Sequence, residues 1–208
     1  MKEERDPIRD ITDIRSMMER STKFLSLSGW AGVLAGVYAL AGAFIAYRFL
    51  GFNPGGIVTD PLITEGNLFS LLPVVYTAIL ILVLAVITAV YFSYKNAGKR
   101  GEKLWNATSR RLLANMAVPL VAGGILVLIL LAKGFIGLLA PFTLIFYGLA
   151  LYNASKFTFE AVKFLGLIQI CLGLVGSYFV AYGLLFWALG FGVAHIVYGI
   201  YIYYRYEK

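Results

Sequence analysis

The sequence predicts an all-α integral membrane protein, with six transmembrane helices arranged as three antiparallel hairpins behind a cytoplasmic amphipathic amino-terminal helix. Three observations predict it. Of 208 residues, 60% are hydrophobic and 14% charged, where soluble domains carry about 25% charged residues. The charges leave uninterrupted uncharged runs at 24–47, 66–94, 112–132, 134–155 and 164–204. The last run, 41 residues between Lys163 and Arg205, is twice the ~20 residues that cross a ~30 Å hydrocarbon layer. It must fold back on itself, with Tyr182-Gly183 as the expected turn.

The first four runs hold one helix each and the last holds two. The expected spans are 24–48, 68–94, 112–132, 135–155, 160–181 and 183–204, forming a transmembrane domain over 24–204. Six spans put the amino terminus, the 95–111 loop, the 156–163 loop and the carboxyl terminus on one side. That side holds 16 of the 18 Lys and Arg residues, and the other holds only Arg48 and Lys133. Lys and Arg accumulate on the cytoplasmic side of membrane proteins, so both termini are expected in the cytoplasm and the protein in the plasma (inner) membrane of a bacterial-type cell. Topology accounts for the net charge of +7 without a nucleic-acid partner.

Residues 1–23 carry 12 charges and no apolar core, unlike a removable signal peptide. They read as a helix capped by Asp6 with Pro7 in its first turn. Ile8, Ile11, Ile14, Met17 and Met18 form its apolar face. Its first twenty residues hold five basic and six acidic groups. Helices that bind anionic lipid have a strongly basic polar face, so this one is expected to dock on the protein's own cytoplasmic face or on a partner.

In the first span Ser28, Gly32, Ala35, Ala39, Gly42 and Ala46 share a face, and Gly32 and Gly36 form a Gly-xxx-Gly pair. Small residues let helix backbones approach closely in lipid, which places this helix at the bundle centre or at a contact in a homo-oligomer. Asn53-Pro54-Gly55-Gly56 marks an external loop. The 95–111 loop carries Lys95, Lys99, Arg100, Lys103, Arg110 and Arg111 but lacks the phosphate-loop pattern. At an offset of 51, Phe135, Leu138, Ile145, Tyr147, Gly148 and Tyr152 match Phe186, Leu189, Ile196, Tyr198, Gly199 and Tyr203. This is a weak echo between the fourth and sixth spans.

The chemistry available is sparse. No Asp, Glu, Lys or Arg lies well inside a span, so a carboxylate relay and paired acid/base catalysis have no members. Glu160 and Lys163 are spaced to pair at the start of the fifth span. One cysteine (Cys171) and one histidine (His195) are too few for a zinc or bis-histidine haem centre. No catalytic residue, metal or cofactor is therefore expected.

His195 shares a face with Gly192 and Gly199, and Gln169 stands between Gly166 and Gly173. Folding back near residue 182 puts His195 opposite position 168, one step from Gln169. This buried polar pair would either tie the helices together or line a solute path. Gly166, Gly173 and Gly176 would pack against Gly192 and Gly199. Pro119 and Pro141 fall inside hydrophobic runs and are expected to bend their helices. Asn115, Tyr147 and Tyr198 would line the cytoplasmic half of a cavity.

The functional expectation is a non-enzymatic channel or facilitator-type transporter for a neutral or weakly polar small solute. The alternative is a non-catalytic interaction or regulatory subunit docking a membrane or cytoplasmic protein through its amino-terminal helix.

Overall fold

A computed structural model describes residues 23–52, 68–101 and 103–208. The expected amino-terminal helix, up to residue 22, and the loop over 53–67 lie outside the described residues. Six helices are long and apolar enough to cross a membrane, and no strand occurs among the described residues. They are α1 (Gly29–Arg48), α2 (Leu68–Lys99), α3 (Ala107–Ala132), α4 (Ile136–Phe157), α5 (Ala161–Tyr178) and α6 (Val180–Glu207). The chain is a multi-pass membrane protein.

The helix ends follow local chemistry. At the start of α3, Asn106 and Ser109 form a reciprocal capping box, with Ser109 N–H donating to Asn106 Oδ1 at 2.8 Å and Asn106 N–H donating to Ser109 Oγ at 2.9 Å. These bonds satisfy two of the orphan donors of a helix start. Hence α3 begins five residues before its uncharged run, and α2 continues past its own run to Lys99. At the far end of α3, Gly134 takes φ +77°, which lets Phe135 N–H reach Leu130 O at 2.9 Å and close the helix.

Two sequence expectations change here. Pro141 stands in the first turn of the regular helix Leu139–Ala154, where the missing N–H has no partner to lose, so it caps rather than kinks. Pro119 does lie inside α3. The first span was expected from residue 24, yet Lys23–Ser28 is not helical. Phe24 N–H donates to Phe157 O at 2.6 Å, and Thr158 Oγ1 donates to Phe24 O at 2.8 Å. The backbone groups of this strap thus bond to the α4–α5 turn, and Phe24 is buried among Leu112 and Ala154.

At Gly29 the strap becomes helix under the carboxylate of Glu207. Gly29 N–H donates to Glu207 Oε1 at 2.6 Å, Ser28 Oγ donates to Oε2 at 3.4 Å, and Asn96 Nδ2 donates to Oε1 at 3.3 Å. A carboxylate at a helix N-terminus answers the helix dipole and stabilises by about 0.3–1 kcal/mol. Here it also ties the ends of α1, α2 and α6 together.

Of the expected hairpins, α1 contacts α2 and α3 contacts α4, but α5 and α6 each pack more closely on another helix than on each other. α5 lies chiefly against α4, and α6 against α1. Glycines set these choices. A Cβ on Gly166 would sit 2.8 Å from Gly148 O, and one on Gly148 2.7 Å from Gly166 O. A Cβ on Gly36 would sit 2.6 Å from Gly192 O. Such distances allow glycine alone, and packing is what drives helix association in lipid. α2 packs on α1, and α3 packs on α4 through Gly123 and Phe146. The six helices therefore group as two three-helix bodies, α1–α2–α6 and α3–α4–α5, and α6 faces α4 and α5 along the seam between them.

Candidate functional site

The seam gathers three polar side chains at mid-span. Gln169 and His195 are buried, at 0% and 6% exposure. Tyr147, Gln169 and His195 each stand near the middle of their spans, α4, α5 and α6, so three helices bring polar groups to one depth.

A local change in α6 makes their meeting possible. Residues Ala188–Ala194 wind as π-helix between α-helical turns, a wider winding found mostly as short bulges, often at functional sites. Within it, the Gly190 carbonyl oxygen accepts two side-chain bonds. Gln169 Nε2 donates to it at 2.7 Å, and His195 Nδ1 lies 3.0 Å from it. Gly190 has to be glycine, because a Cβ would lie 2.5 Å from Gln169 Oε1 and clash with Leu144.

The histidine tautomer follows. A carbonyl only accepts, so Nδ1 carries the proton and Nε2 of the neutral ring is an acceptor. Tyr147 Oη, 3.0 Å away, donates to Nε2. The 3.4 Å approach of Gln169 Nε2 to His195 Nδ1 is then a meeting of two donors sharing one carbonyl. The chain runs Tyr147 to His195 to Gly190 O, with Gln169 joining at the same oxygen. One atom is left over: Gln169 Oε1 is buried and has no hydrogen-bond partner among the described residues.

Aromatic rings wall this chain. Phe191 packs 5.0 Å from Tyr147, 5.1 Å from Trp187 and 5.9 Å from His195, measured between ring centroids. Tyr147 stacks on His195 at 5.5 Å. The site is thus neutral, and apolar outside its few hydrogen bonds. Among the described residues, no three His, Cys, Asp or Glu side chains gather.

The other sequence candidates disperse. Asn115 is exposed and donates through Nδ2 to Arg111 O at 2.8 Å. It stands off the buried stripe Leu112, Pro119 and Gly123 of α3, so it lines no cavity in the bundle. Tyr198 is half-buried against the cluster of Leu151, Phe159, Val162, Leu165 and Ile202, on which Tyr147 also packs. Tyr147, expected as a lining residue, is instead bonded to His195.

The glycines keep their role of close approach but change partners. Gly32, Gly36, Gly192 and Gly199 join α1 to α6, and Gly166 and Gly173 join α5 to α4. Gly176 alone approaches α6, where a Cβ would make ordinary contact with Phe186 at 3.4 Å. Cys171 is exposed. Glu160 and Lys163 meet through the backbone, Lys163 N–H donating to Glu160 O at 2.9 Å.

Sequence reasoning missed Gly190, the bond from Tyr147 to His195 and the cap by Glu207. The signal available for Tyr147 was its position at mid-span, at the same depth as His195. Gly190 and Glu207 carried none, because both depend on π-helical stretches of α6. Compared with family models, curated proteins and solved structures, the chain matches none, so its functional reading rests on this geometry.

Proposed function

We propose that the protein is a facilitator-type transporter for small neutral or weakly polar solutes, with both termini in the cytoplasm. The observation that carries this reading is the mid-span convergence of Tyr147, Gln169 and His195 on the seam between two three-helix bodies. Polar groups at membrane depth are costly and mark solute paths. Transporters place their sites near the midplane, between bodies that rock, at interrupted helices, and the π-helical stretch of α6 is such an interruption. The packed seam described here is then the closed state. The strap Lys23–Ser28, bonded to both bodies, closes the basic end.

Osmotic swelling of proteoliposomes tests this reading. Urea, glycerol and small amides should enter protein-containing vesicles several-fold faster than protein-free ones, and His195→Leu should abolish the difference. Equal rates for every solute would contradict transport and favour an interaction subunit, whose partner would then copurify in stoichiometric amount.

A further inference from the structure

The hydrogen-bond inventory of the seam specifies what kind of solute it would take. The Gly190 carbonyl is occupied twice. His195 is satisfied on both nitrogens, donating from Nδ1 and accepting at Nε2. Tyr147 spends its only proton on His195. What remains belongs to the Gln169 amide, on a side chain with 0% exposure: the Oε1 lone pairs, and the second Nε2 hydrogen, since the amide nitrogen carries two and Gly190 takes one.

The alternative amide orientation does not remove this surplus. Turning the Gln169 amide over would set Oε1 against the Gly190 carbonyl, acceptor against acceptor, and lose the 2.7 Å bond. Oε1 therefore stays beside the Gly190 Cα, where glycine leaves room for it. A buried acceptor without a donor costs about 1–3 kcal/mol, and an incoming donor relieves that cost. No carboxylate joins this cluster, so a cation entering it would meet no opposite charge.

We infer that the seam selects neutral solutes that bring a hydrogen-bond donor, an O–H or amide N–H, to Gln169 Oε1 while accepting from the second Nε2 hydrogen, over neutral solutes that only accept and so leave Oε1 unpartnered. This inference rests on the facilitator reading and narrows it to a solute class. Phe191 and Trp187 would flank the apolar part of such a solute.

The test compares matched solutes in proteoliposomes. Acetamide, urea and glycerol carry donors, whereas N,N-dimethylformamide and dimethyl sulfoxide do not. The protein-dependent rate, taken above protein-free vesicles, should exceed the acceptor-only rate at least tenfold for donor-bearing solutes. Gln169→Met keeps the length of the side chain and removes the acceptor. It should cut the protein-dependent donor rate at least fivefold while Tyr147→Phe, which leaves Oε1 in place, retains the preference for donors. Equal protein-dependent rates for both classes in the native protein would overturn the donor selectivity and leave the facilitator reading standing. No protein-dependent rate for any solute would remove both. If Gln169→Met fails to fold, the solute comparison on the native protein decides alone.

Discussion

At the scale of single residues, the neutral chain Tyr147–His195–Gly190 O–Gln169 predicts coupled energetics. Interhelical hydrogen bonds in membranes contribute about 0.6–2 kcal/mol. Tyr147→Phe should therefore destabilise the protein by about that amount, and it leaves His195 Nε2 buried without a donor. His195→Leu should cost at least as much, because it frees Tyr147 Oη and one Gly190 bond together. The double variant should cost less than the sum of the two single changes, as expected for residues in one network. Unfolding titrations in detergent micelles read all three, and strict additivity would mean that the 3.0 Å contact carries no energy. The sequence made half of this network legible. Folding the 41-residue run back on itself put His195 one step from Gln169 by arithmetic on a single hairpin. Tyr147 lies on α4, outside that hairpin, and helical periodicity says which face a residue occupies without saying which helix comes to meet it. Gly190 was hidden for a different reason: the carbonyl that joins the network is freed by π-helical winding, which uncharged sequence does not announce.

At the scale of helices, glycine positions separate tight contacts from open ones. A Cβ on Gly199 would sit 2.6 Å from Val33 N, whereas around Gly124 nothing lies within 4 Å. Gly199→Leu should split α6 from α1 and abolish recovery of folded, monodisperse protein. Gly124→Ala should be neutral or stabilising, since alanine exceeds glycine in a helix by about 1 kcal/mol. Size-exclusion profiles and thermal melts of the two variants distinguish these outcomes. The end of α6 offers a second case. Glu207→Gln replaces a charge-assisted cap on Gly29 with a neutral one, and should cost about 1 kcal/mol, read as a drop of ~2–4 °C in the melting midpoint. An unchanged midpoint would show that water replaces the carboxylate at the start of α1. Small-residue stripes told the sequence reader where helices come close. They could not name the partner, so Gly166 and Gly173 were matched with α6, while the structure seats them on α4. α5 has a chain neighbour on either side, and the reciprocal fit of Gly148 with Gly166 selects α4 over α6.

At the scale of the whole molecule, the six apolar helices followed from the charge gaps alone, because hydrocarbon thickness fixes how long an uncharged run must be. The grouping into α1–α2–α6 and α3–α4–α5 did not follow, because it turns on α6 packing against α1, the span farthest from it in sequence, rather than chiefly against α5. The facilitator proposal rests on that grouping: a network inside one body would be a fastener, and the proposal requires the seam between the bodies to open. Leu144 reports on the seam directly, since it is fully buried and faces Gly190 across it. The decisive measurement is the reaction of Leu144→Cys, made in a Cys171→Ser background to remove the exposed native thiol, with a small water-soluble methanethiosulfonate in proteoliposomes. If the two bodies part to pass solute, the thiol reacts within minutes under native conditions, and a transported solute changes the rate. A thiol that stays unreacted in the folded protein, yet reacts fully once the protein is denatured, would show that the seam never opens and that Tyr147, Gln169 and His195 serve only to hold the helices together.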